Sequence, residues 1–213
     1  MRSLLILLCL SGACGGFSPA NVANTTPTYS KPAVSARSDV PLTIVLDQQA
    51  VHDDMVFSGF SPTQVHNVNL IVTRDLKSAL EVYFSQVAVS TPASSAKATD
   101  HRVVTNAKID ALGWKSADNS SAAVGTMEWS VSMRFADQQK PFYRFNEHTV
   151  GRHAVSQWSN TEALIQGVIE EGMQHLLKDM EAKGVQALVA PAEAPTPPES
   201  SAPSEPPTDD DDR

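Results

Sequence analysis

Residues 123–135 constrain this chain more than any other stretch. Met127, Trp129, Val131, Met133 and Phe135 alternate with Thr126, Glu128, Ser130, Ser132 and Arg134. A period of two sends successive side chains to opposite faces of a strand, so this strand is apolar on one face and polar on the other. Such a strand needs neighbours at its edges and a layer over its apolar side. The flanking sequence supplies both. Residues 103–111 repeat the alternation, with Val103, Ala107, Ile109 and Ala111 on one side and Asn106, Lys108 and Asp110 between them. Residues 118–121 form a turn-rich gap. Residues 137–141 read as a hairpin-type connection, which returns the chain antiparallel over 142–150.

The covering layer is predicted from two helical patterns. Over 68–84, Val72, Leu76, Ala79, Leu80 and Tyr83 recur on one helical face, with Arg74, Asp75, Lys77, Ser78 and Glu81 opposite. Residues 68–72 read equally well as extended chain. Over 160–183, Ile165, Val168, Ile169, Gly172, Leu176 and Met180 form an apolar stripe. Ser159-Asn160-Thr161-Glu162 is a capping box at its start, and Gly184 suits its end. Gly172 on the stripe is expected to let another element approach closely. Residues 42–46 and 86–90 are expected as further strands. Residues 47–64 read as a polar loop containing Met55, Val56, Phe57 and Phe60, either a flap on the core or an exposed contact surface for a partner. The expected fold is α+β: an antiparallel or mixed sheet of four to five strands, two helices on one face, spanning 41–185.

The ends of the chain are of a different character. Arg2 and the apolar run Leu4 to Leu10 lead to Ser11-Gly12-Ala13-Cys14. This reads as a secretion signal, 1–13, with Cys14 as the lipid-modified first residue of the mature protein. Ser11-Gly12-Ala13 also fits ordinary signal cleavage at the same bond, so both processing routes stay open. Cys9 would leave with the signal, and one remaining cysteine permits no internal disulfide. Residues 14–40, rich in Ser, Thr, Ala, Asn and Pro, are expected to act as a flexible tether reaching roughly 28 Å. Residues 186–213 read as a disordered Pro-rich acidic tail, a solvated spacer or a docking segment for a basic partner. The net charge is −8, and Asp209-Asp210-Asp211-Asp212 accounts for four of those charges. No basic footprint points to nucleic acid.

No catalytic constellation is apparent. The six histidines, His52, His66, His101, His148, His153 and His175, show no spacing typical of a zinc site. No serine sits in a G-x-S-x-G elbow, and no Gly-rich phosphate loop is present. His175 and Asp179, four apart on the last helix, read as a mild surface contact. No cofactor and no metal are expected, and the chain is not expected to be an enzyme.

The signal ending at Cys14, Arg74-Asp75-Leu76-Lys77-Ser78-Ala79-Leu80 after the first strand, the strand 127–135 and the helix 161–180 together resemble a group of periplasmic bacterial lipoproteins. The group includes the LPS-assembly lipoproteins and the ABC-type transport auxiliary lipoproteins. The resemblance covers about 40–183. It implies a lipid-anchored protein on the periplasmic side of the outer membrane, held by Cys14 and acting as an accessory or binding subunit of an envelope assembly or transport complex. Two other readings stand beside it: a secreted or periplasmic metal-dependent enzyme, and a lipid-binding transport auxiliary with an apolar cavity between sheet and helices.

Overall fold

The computed structural model describes residues 20–21, 29–34, 36–46, 54–57, 63–66, 68–90, 102–117, 122–152, 154–156 and 161–189. Cys14, Phe60, Ser159 of the capping box and the tail from 190 lie outside the described residues.

The fold is α+β, as expected. Its elements are β1 (Ala20–Asn21), β2 (Leu42–Leu46), β3 (Asp54–Phe57), β4 (Thr63–His66), α1 (Val68–Leu80), β5 (Val87–Ser90), β6 (Val103–Ser116), β7 (Ala122–Phe135), β8 (Tyr143–Val150), β9 (Val155–Ser156), α2 (Thr161–Ala182) and α3 (Val185–Leu188). The larger sheet runs in the order β5-β2-β6-β7-β8, and β9 adds to β7. β2 is parallel to β5 and β6, whereas β6, β7 and β8 pair antiparallel, so the sheet is mixed. Both long helices pack on the sheet and on each other.

The alternation in β7 behaves as its sequence requires. Met127, Trp129, Val131 and Met133 are buried, and they share the core with Leu76, Leu80, Ile165, Ile169 and Leu176. On the second face Lys108, Glu128, Arg144 and His148 are exposed. The alternation in β6 breaks once. Ile109 pairs with Trp129 and Ala111 with Glu128, so Asp110 is an extra residue. This bulge reverses the facing of the residues after it: Ala111 is exposed and Leu112 is buried, contrary to the expected pattern.

Residues 54–57 and 63–66 are not loop. Met55, Val56 and Phe57 lie in β3, paired antiparallel with Val65, Gln64 and Thr63 of β4. β1 adds parallel to β4, and β3 lies against β6. Four-residue strands are too short for a period of two to register, whereas Gly59 and Pro62 between them suit a hairpin connection.

Two further expectations change. The stripe of α1 is buried as expected, but Asp75, assigned to its polar side, is fully buried too. The tether differs as well: Ala20 and Asn21 pair with β4, and residues 29–34 and 36–40 run along the domain. Ser38 bridges to Phe84, and its amide donates to the Tyr83 carbonyl at 2.7 Å. Tyr29 and Val34 pack against the core, and Val40 belongs to it. Small polar residues fit here because their backbone groups find partners on the domain, an effect no composition reveals.

Glycines set the height of α2 above the sheet. A Cβ on Gly172 would lie 2.6 Å from the Met127 Cε and 3.2 Å from the Trp129 ring, the close approach its position implied. A Cβ on Gly125 of β7 would meet the Leu164 carbonyl oxygen at 2.4 Å. Gly184, at φ 60°, takes the left-handed conformation after α2, and α3 begins at the next residue.

Candidate functional site

β8 is the outer strand of the sheet, and α2 runs beside it. Tyr143, Phe145, Glu147 and Thr149 point to the helix side, where they pair across β7 with Met133, Val131, Trp129 and Met127. On α2 a polar row recurs every four residues, one turn apart: Glu171, His175 and Asp179, with Lys183 just beyond the helix end. The two rows meet as a ladder. Arg152 Nε lies 2.9 Å from Glu171 Oε2, and His175 contacts Glu147 through Nδ1. Tyr143 donates to Asp179 Oδ2 at 2.8 Å, and Lys183 donates to the Arg144 carbonyl at 3.0 Å.

His175 is the centre of this ladder. Its Nε2 also lies 2.7 Å from Glu171 Oε1, so the ring stands between two carboxylates. An ionised carboxylate only accepts, so both contacts are hydrogen bonds when both ring nitrogens carry hydrogen. Glu171 is nearly buried and has the Arg152 guanidinium on its other oxygen. Asp179 is shared between Tyr143 and Lys183, whose ammonium lies 2.8 Å away and 5.1 Å from the Tyr143 ring centroid. Burial, and then the bond to Asp179, hold the Tyr143 phenol far above its ordinary range, so it acts as a donor and not as a base.

A surface cavity of about 450 Å³ opens along this seam, lined by Phe145, Asn146, Glu147, His175, Lys178, Asp179 and Lys183. Its wall offers an aromatic ring, an amide, cations and carboxylates. That set suits binding of a polar ligand or peptide segment. It contains no activated nucleophile.

The histidines do not come together. His148 lies 3.4 Å from Glu128 on the opposite face of the sheet, and His66 is in β4. His52, His101 and His153 fall outside the described residues. Among the described residues no three His, Cys, Asp or Glu side chains are placed to hold a metal ion. His175 and Asp179 do not pair with each other, as their spacing suggested; each reaches across to β8. Sequence pattern alone did not single out Tyr143, Glu147, Arg152 or Glu171. The signal for Glu171 was present in its four-residue spacing from His175; the β8 partners carry no such local mark.

No protein-family model matches the chain, and no curated protein matches it. Among solved structures it is similar to a protein from Xanthomonas campestris described by the family model DUF330. The TM-score is 0.53 at 10% identity, over 80% of this chain and 99% of that one. It is more distantly similar to an uncharacterized lipoprotein B from Nitrosomonas europaea, with a TM-score of 0.34 at 10% identity, over 76% of this chain and 95% of that one. The Xanthomonas protein shares the fold; at this identity the likeness extends no further. No described helix is long and apolar enough to cross a membrane.

Proposed function

We propose that this chain is a bacterial envelope lipoprotein, anchored through Cys14 on the periplasmic side of the outer membrane. It serves as an accessory, binding subunit of an assembly or transport complex. The anchor rests on the basic start, the apolar run and the small residues before Cys14. Acyl chains at about 0.8 kcal/mol per buried methylene would hold it durably. The observation that carries the binding role is the cavity beside the outer strand β8. Asn146 and Glu147 on β8, His175, Lys178 and Asp179 on α2, and Lys183 just beyond it are displayed there. The hairpin of β3 and β4, with Met55, Val56 and Phe57, is a second contact surface in this reading.

Two measurements test it. Cys14→Ser should move the protein from the membrane to the soluble periplasmic fraction; unchanged retention excludes the lipid anchor. A photo-crosslinking side chain at Asn146 or Lys178 in the native host should capture a protein partner. The same side chain at exposed Asp137, in the turn after β7, should not. Equal capture at all three positions would remove the β8–α2 cavity from the reading.

A further inference from the structure

The other flank of α2 faces α1, and residues 29–34 lie across the two helices as a strap. The Tyr29 hydroxyl donates to the Asp75 backbone carbonyl at 2.9 Å, and Lys31 Nζ donates to Ser78 Oγ at 2.9 Å, both on α1. The Ser30 amide donates to Gln174 Oε1 on α2 at 2.9 Å. Beneath the strap is Asp75, with no exposed surface. Its Oδ1 takes Arg74 Nε at 2.7 Å. Its Oδ2 has no hydrogen-bond partner among the described residues. Glu170 on α2 and Tyr29 on the strap act on this carboxyl electrostatically.

The strap is therefore an imperfect occupant of this seam. Its Tyr29 hydroxyl satisfies the backbone of Asp75 and leaves the side chain short of a donor. A buried acceptor without a donor is costly. Arg74 already supplies a cation to Oδ1, so the missing complement is a hydrogen-bond donor to Oδ2.

We propose that the α1–α2 seam is a peptide-docking groove that the chain's own residues 29–34 occupy in the resting state. The partner segment that displaces them carries an aromatic residue with a neighbouring Arg or Lys, whose N–H groups donate to Asp75 Oδ2.

The test uses the chain without its first 13 residues, in a Cys14→Ser background, so it is independent of the anchor. Tyr29→Ala loosens the strap; Tyr29→Phe does so more gently should the alanine variant not fold. The probes are peptides of residues 27–36, unaltered or carrying Thr28→Arg or Ser30→Arg. The better Arg peptide should bind the loosened protein about tenfold tighter than the unaltered peptide. Asp75→Asn, of the same shape, should abolish that difference, and Tyr29 restored should weaken both peptides. No binding, equal binding of all peptides, or a preference that survives Asp75→Asn would overturn the proposal.

Discussion

The two flanks of α2 use the same residue types and reach opposite outcomes. Toward β8, Glu171, His175, Asp179 and Lys183 each meet a partner of complementary chemistry. Toward α1, Asp75 is more deeply buried than any of these, yet one of its oxygens has no donor. The difference is solvent. The β8 flank opens to a surface cavity, where partly exposed charges keep some hydration and pair cheaply. The α1 flank is closed by the strap, so burial raises the Asp75 carboxyl above the usual carboxylate range, with Arg74 acting against it. A paired, wet seam and an under-satisfied, dry one lie back to back on one helix.

The sharpest way to break the comparison is to move the helix that both flanks share. Gly125→Ala places a methyl against the Leu164 backbone, which cannot yield as a side chain would. It should cost about 3 kcal/mol in chemical denaturation and loosen both seams together, read as faster amide exchange in β8 and α1. A loss confined to one flank would show that the two are not set by helix height.

Smaller effects separate the flanks. Glu171→Ala strips both Arg152 and His175 of a carboxylate and should cost about 2 kcal/mol. Asp75→Asn should do the reverse and stabilise the fold at neutral pH by about 1 kcal/mol, because it removes the burial penalty on the carboxylate while the amide oxygen can still accept from the part-exposed Arg74. The sign with pH comes from the raised value. The folded state holds the Asp75 proton more tightly than the unfolded chain, so wild-type stability falls as pH rises through the folded pKa. The advantage of Asp75→Asn should accordingly shrink as the pH is lowered into the carboxylate range. An advantage that grows on acidification would contradict the burial argument. Tyr143→Phe removes one donor from the wet seam and should cost about 1 kcal/mol, measured the same way.

The strap has the mildest signature. Burial lifts the Tyr29 phenol from 10.0 to about 12, so its folded-state proton is held past the point where an unfolded tyrosine ionises. The stabilisation it brings is complete below pH 10 and is lost as pH rises through about 12. Spectrophotometric titration should show this late phenol in the wild type, and it should be missing in Tyr29→Phe. Ionisation near 10 would mean that the strap does not cover the seam in solution.

Periodicity was enough to determine β7, both long helices and the side each buries, because a repeat of two or 3.6 is a local property of the chain. Val72, Leu76 and Tyr83 in and just after α1, and Ile165 to Met180 in α2, are buried as their spacing requires. Gly172 and Gly184 were legible as well, one by its place on an apolar stripe and the other by its place after it. Partnership across the fold was not. Whether Asp75 faces water depends on residues 29–34, more than forty positions away in sequence, lying down over α1 and α2. Whether His175 meets Asp179 or Glu147 depends on where β8 ends up. The bulge at Asp110, which turns Ala111 outward, depends on the register β7 imposes. Each of these is decided by a contact between distant segments, and only the folded chain makes it.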